Sequence, residues 1–331
     1  MSLRICDWKH GKRWVYSITY DEALADLHRF AIPYHEELGI PGHVEVVVGQ
    51  MGEVRDIEGS SFNGYRHMNG GELKELLDRG WGVGNHSWTH LYIKPEMIDQ
   101  ELRVARDVLE EAIDAPVPLY CAPGNNRNME PHILEACREL GYLAAISLRE
   151  GINRPGDECF WIDRSPLIHE YHEPFFSKHD PHRNIRHARR AGGWVIDYCH
   201  CPIEEPIHIN KDCSEAQLRT RLETVLAAGG DELWCAVPEE VVFYHLSRRH
   251  AVVETIAESA DEQRYRISFA DLPAGVECRE LTLETEVPAA WCRFPRLWVQ
   301  GKTRAAELVR PRVLRATVDV GNGVELAFRA S

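Results

Sequence analysis

His86 and His90 stand four residues apart in "GVGNHSWTHLYI" (82–93), directly after a glycine-rich run that no helix would choose. Two imidazoles at that spacing can converge on one metal ion, or they can be unrelated surface histidines. Asp21 and Glu22 sit side by side where "SITYDEA" ends, and His200 closes "VIDYCHCP". Each has an ordinary explanation when taken singly: an Asp at a strand end caps turns, and a lone His is often a hydrogen-bonded core residue. Two carboxylates, two histidines at metal spacing and a lone histidine, all at strand ends, make a hydrolase-like set. A divalent ion held by two imidazoles and a carboxylate keeps positions open for water and substrate. It lowers the pKa of the water and polarises a carbonyl. A second carboxylate can take the proton, and a distant His can return it to the leaving group.

Such groups need a scaffold that presents strand ends together. From about residue 14 to 245, short β-rich runs alternate with helical patterns. "WVYSITY" and "HVEVVVG" read as strands, and "MNGGELKELLDRG" (68–80) as a helix. "KPEMIDQELRVARDVLEEAI" (94–113) reads as one amphipathic helix with Pro95 near its start. A strand at 118–124, a helix at 129–142 and another strand at 143–148 follow, and the runs 192–202 and 232–246 complete the series. This alternation predicts a parallel sheet, and its length suits a (β/α) barrel. After about residue 250 the pattern turns to short alternating runs, with an Asn-Gly hairpin signal in "DVGNGVEL". The expected division is a barrel over 1–248 and a small β-sandwich over 249–331.

The composition narrows the partners. A net charge of −14 argues against nucleic acid. The basic cluster "HRNIRHARRAGG" (182–193) reads as a solvated helix and loop. No apolar run reaches the ~20 residues of a membrane span. The N-terminus shows no apolar signal-peptide core, so the chain as written reads as cytoplasmic. Ten scattered cysteines read as buried thiols in a reducing compartment. Oligomeric state stays open.

The motifs resemble those of the polysaccharide deacetylases, carbohydrate esterase family four with the NodB-homology fold. "SITYDEA" looks like that family's Thr-Phe-Asp-Asp-Gly motif, and "NHSWTH" matches its His-Ser/Thr-x-x-His motif. "CAPGN" stands where Arg-x-Pro-x-Gly is expected, and "DYCHCP" where Leu-x-His is expected. The resemblance implies a deformed (β/α) barrel that removes acetyl groups from sugars. It implies one divalent cation on His86, His90 and Glu22, with Zn²⁺ suited best and Co²⁺, Ni²⁺ or Fe²⁺ fitting as well. Asp21 would be the general base and His200 the general acid. Trp88, Pro123, Gly124, Trp161 and Arg164 are the expected substrate contacts.

Three positions depart from the family pattern: Glu22 replaces an Asp, Ala23 a Gly, and Cys121 the Arg that pairs with the base. Without that cation the base should be less acidic unless Arg127 or Arg164 reaches in. Cys121 reads as a buried thiol rather than a nucleophile. The segment 167–187 carries five histidines and the aromatics Tyr171, Phe175 and Phe176, readable as a substrate-facing loop. Two other functions stay open: a metal-independent hydrolase of a small cyclic amide or formamide on the same barrel, and a glycan-binding protein that no longer cuts.

Overall fold

Trp14–Asp21 (β1) is buried along its whole length, as a strand covered on both faces must be. It pairs in parallel with His43–Val46 (β2), which pairs with Gly82–Asn85 (β3). Leu119–Cys121 (β4), Ala144–Glu150 (β5), Ile162–Pro166 (β6) and Trp194–Cys199 (β7) continue the sheet, and β7 returns to β1 over Trp194↔Val15 to Cys199↔Tyr20. Seven parallel strands thus close a barrel, and Leu233–Cys235 (β8) adds alongside the first half of β1. All residues below are described from a computed structural model, which covers 3–329 apart from 173–174, 260, 278–279, 290, 292–295 and 322.

Helices fill the gaps between strands. Gly70–Asp78 (α1) begins with a capping box in which Asn69 and Glu72 satisfy each other's backbone N–H groups. The stretch expected as one helix over 94–113 is built in three pieces. A 3₁₀ turn at Pro95–Met97 leads into a wider π-type turn over Asp99–Val104, and only Ala105–Ile113 (α2) is regular. Such widened turns gather at functional sites, and this one places the buried Glu101.

The glycine-rich run has a steric purpose. A Cβ on Gly82 would collide with His43 and Glu239, and one on Gly84 with Glu45 and His43. β3 leaves room for a charged cluster in the barrel interior. His43 Nε2 lies 2.9 Å from Glu239 and Nδ1 3.3 Å from Glu45, with Glu45 and His43 fully buried. Burial alone would keep His43 neutral, but Glu239 and Glu45 override it and push its pKa up to about 10. Because the folded value lies above the ~6.5 of an unfolded chain, the cluster stabilises the fold fully below that pH. The contribution is lost as pH rises through about 10. The drop in urea midpoint between pH 6.5 and pH 10.5 is therefore expected to be larger in wild type than in His43→Gln, where this part of the pH dependence disappears.

The second unit joins Met1–Arg13 to Glu240–Ser331. The border expected after residue 248 falls at Glu239, and the chain's start goes with the C-terminal unit because Arg4–Ile5 pairs with Glu280–Glu286. This unit holds two antiparallel sheets, of four and five strands. Tyr265 and Gln263 of one meet Thr285 of the other in the sandwich interior. The Asn-Gly signal does not make a hairpin. Val313–Asp319 pairs in the four-stranded sheet and Val324–Arg329 in the five-stranded one, so the turn crosses between sheets. Asn322 itself lies outside the described residues.

Candidate active site

Adjacent residues of a strand face opposite ways, yet Asp21 and Glu22 both line one cleft at the C-terminal end of the barrel strands. The backbone makes this work: Glu22 (φ +74°) and Ala23 (φ +49°) are both left-handed, a conformation that costs non-glycine residues energy and marks functional strain. Neighbours hold the kink. His67 Nδ1 donates to the Glu22 carbonyl at 2.6 Å, and the Met68 N–H donates to that of Ala23 at 2.8 Å.

The two histidines follow β3. His86 is buried, and its Nδ1 donates to the Cys121 carbonyl at 3.1 Å, which leaves the Nε2 lone pair free. The chain then turns through Ser87 (φ +69°) and His90 (φ +63°), bringing the imidazoles to 5.0 Å between ring centres. Ser87 Oγ accepts from the His90 N–H at 3.0 Å. Glu101, fully buried, accepts from the N–H groups of Trp88 and Thr89 and from the Thr89 hydroxyl, all at 2.7–2.9 Å. Glu101→Ala is expected to cost on the order of 3 kcal/mol, since three donors lose a charged acceptor in a dry site. Urea unfolding against wild type checks it.

Arg164 meets Asp21 in a two-pronged pair, Nη1–Oδ1 at 2.6 Å and Nη2–Oδ2 at 3.2 Å. Burial alone would raise the Asp21 pKa, but Arg164, with His86 and His200, overrides it and holds the carboxyl far below its ordinary range. Arg164 is fully buried and does not line the cleft, so it cannot be the expected substrate contact. It occupies instead the role left vacant at Cys121. Arg127 is turned away over the Tyr92 ring. Burial pushes the Cys121 thiol well above its usual range, which removes any nucleophilic part for it.

His200, after β7, lines the same cleft as Asp21. Its Nδ1 stands 3.2 Å from the Lys211 carbonyl and 3.6 Å from Asp212, and its ring stacks on Phe62 at 4.5 Å. Burial would lower its pKa, yet Asp212 outweighs this and raises it to about 9. The direction of that shift favours the protonated imidazolium of His200. His86 and His90 go the other way. Burial lowers both to about 4, so they stand as neutral imidazoles.

The cleft has a volume of about 390 Å³ and collects Asp21, Glu22, Arg55, His90, Gly124 and His200 at its floor and walls. Of the other expected contacts, Pro123 is buried and its carbonyl accepts from Asn125 and Asn128. Trp88 packs against the barrel core. Trp161 packs on a satellite core around Tyr120 and Tyr142. None of the three lines the cleft. In the His-rich segment Phe175 and Phe176 are exposed while Tyr171 is buried, and Glu173 and Pro174 lie outside the described residues.

The donors suit a borderline divalent cation. Glu22 Oε1 stands 3.4 Å from His90 Nε2, close to the ~3.3 Å between neighbouring ligands on a tetrahedral ion with bonds of about 2.0–2.1 Å. The set is not drawn closed, however. Among the described residues no three His, Cys, Asp or Glu side chains gather tightly enough to enclose an ion, and Glu22 Oε2 is already paired with Arg55.

Residues 9–145 match the family description "Polysaccharide deacetylase". Over that stretch, about two fifths of its length, the chain is similar to the polysaccharide deacetylase family. The match contains Asp21, Glu22, His86 and His90, while Arg164 and His200 lie beyond it. No curated protein matches in sequence. Among solved structures, the chain is similar to the Streptococcus pyogenes deacetylase PplD in complex with acetate, at 18% identity over 45% of this chain and 62% of that one (TM-score 0.38). It is similar to IcaB from Ammonifex degensii at 21% identity over 45% and 65% (TM-score 0.40). A polysaccharide deacetylase from Mycobacterium smegmatis aligns over 74% of this chain and 94% of its own, at 15% identity and a TM-score of 0.49. The chain thus spans just under two thirds of the first two relatives.

Four contributors escaped the sequence reading: Arg55, His67, Glu101 and Asp212. His67 and Glu101 lie in stretches already singled out, next to α1 and in the π-type turn, but nothing in their type or spacing announced them.

Proposed function

We propose that this chain hydrolyses an acetyl group, an amide and in some substrates an ester, from an acetylated sugar or polysaccharide. The observation that carries the reading is the meeting of a buried Asp21, clamped by Arg164, and His200, with Asp212 beside it, in one cleft that also holds Glu22 and His90. His86, His90 and Glu22 would hold a divalent cation, zinc suiting them best. Such an ion supplies Lewis-acid polarisation of the acyl carbonyl and of the attacking water.

The chain's own groups account for the proton movements. Asp21, pinned on two oxygens by Arg164, accepts the proton of the water that attacks the acyl carbon. Its tight pair makes it a weak base, so a water already acidified by its surroundings is what it can deprotonate. His200, with Nδ1 turned to the Lys211 carbonyl and Asp212 beside it, presents Nε2 to the departing nitrogen and hands over a proton. Such groups contribute roughly 10²–10⁴-fold each. The exposed Phe175 and Phe176 offer apolar faces to a sugar ring beyond the cleft.

The test is acetate release from a panel of acetylated glycans by wild type, chelated protein and His86→Ala. Loss of release on chelation and in the variant, with return on adding zinc to wild type alone, is the expected pattern. Full release after exhaustive chelation would favour the metal-independent cyclic-amide or formamide hydrolase, and glycan binding with no release would favour a non-cutting binder.

A further inference from the structure

Glu22 does not face its site alone. Arg55, in the loop between β2 and α1, reaches under the cleft and pairs with Glu22 Oε2, while its Nε donates to Ser60 at 2.7 Å and its Nη1 to Gln50 at 3.3 Å. Both partners are buried, at 6% and 2% side-chain exposure. The guanidinium is therefore a fixed cation, held by two further side chains. The remaining oxygen, Oε1, is the one that stands 3.4 Å from His90 Nε2.

We infer that Arg55 acts as a built-in competitor that weakens and limits metal binding at Glu22, a reading that rests on His86, His90 and Glu22 being the ion's ligands. Two effects follow from the geometry. One carboxylate oxygen is committed to Arg55, so Glu22 can offer only a single oxygen to an ion. A fixed positive charge also stands beside the site that must accept a doubly charged one, and in a dry pocket that repulsion is poorly screened. The longer Glu, in place of the family's Asp, fits this arrangement because its carboxylate lies far enough from the backbone to be shared by Arg55 and the histidine side.

The opposite account is that Arg55 merely orients Glu22 as an outer partner, the usual duty of groups hydrogen-bonded to a ligand, whose loss costs 10–100-fold in affinity. The two accounts predict opposite signs. Zinc affinity is to be measured by competition with a chromogenic chelator on full-length wild type, Arg55→Met and Arg55→Lys, with near-ultraviolet circular dichroism to establish that each is folded. The expected result is that Arg55→Met binds zinc at least tenfold more tightly than wild type. Arg55→Lys, which keeps the charge but not the fork, should stay within a few-fold of wild type. Equal or weaker binding in folded Arg55→Met, or no zinc bound by any of the three, overturns the inference. If Arg55→Met is not folded, Arg55→Lys together with Gln50→Ala decides. Loosening the clamp by Gln50→Ala should tighten zinc modestly, and weaker binding would again overturn the inference. Acetate release is assayed in parallel: tighter zinc with no release in any variant would sink the deacetylase reading while leaving the competition intact.

Discussion

Replacing Asp21 by Asn is expected to lower the rate of acetate release by about 10²–10⁴-fold, the range assigned to a positioned acid or base. The substitution keeps the size of the side chain and one oxygen for Arg164, so the cleft keeps its shape. What disappears is the charge proposed to accept the proton. The effect should fall on kcat far more than on KM, because the part proposed for Asp21 is with the attacking water rather than with the sugar. Asn also leaves Arg164 without its counter-charge, so the variant is compared with wild type only at temperatures where both are folded. A loss below tenfold, in protein shown to be folded, would mean that another group takes the proton.

The second large effect concerns the same pair from its other side. Arg164→Met is expected to destabilise the protein by roughly 3–5 kcal/mol at neutral pH, because it strands a carboxylate in a dry site. Arg164 is fully buried with Asp21 at 2.6 and 3.2 Å, so solvent cannot compensate. The pH dependence follows from the direction of the shift. Asp21 titrates well below its unfolded value of ~3.9, so the pair's contribution is present above that pH and is lost as the medium falls through the folded value. The gap between wild type and Arg164→Met should accordingly be widest near pH 7 and narrow below about pH 4. Urea unfolding at pH 7 and pH 3.5 measures it, and a gap independent of pH would show that lost packing, not charge, is the cause.

These two residues also show what a sequence can and cannot disclose. Asp21, His86, His90 and His200 were legible because each sits where a strand-periodic run stops, and a parallel barrel must display its strand ends on one face. The barrel was legible for the same reason. Arg164 was misread as a substrate contact because it lies mid-strand in β6, and only the closure of the barrel turns it inward to Asp21. Arg55, His67, Glu101 and Asp212 are single polar residues in loops or turns, and their partners lie up to 45 positions away. No local pattern encodes that. The 94–113 stretch has helical periodicity throughout, but Glu101 must reach the His90 loop, and the widened turn makes room for it. Asn-Gly pairs favour tight turns; whether the flanking strands pair is decided by the sheets that capture them.

The proposed deacetylation is tested most directly by one quantity: the amounts of acetate and of newly exposed amine formed together when wild type acts on an N-acetylated glycan. Equal amounts of both, rising together with time and nearly abolished in Asp21→Asn, are what it predicts. No acetate from any acetylated glycan offered to the zinc-loaded protein, or equal release by wild type and folded Asp21→Asn, would contradict it.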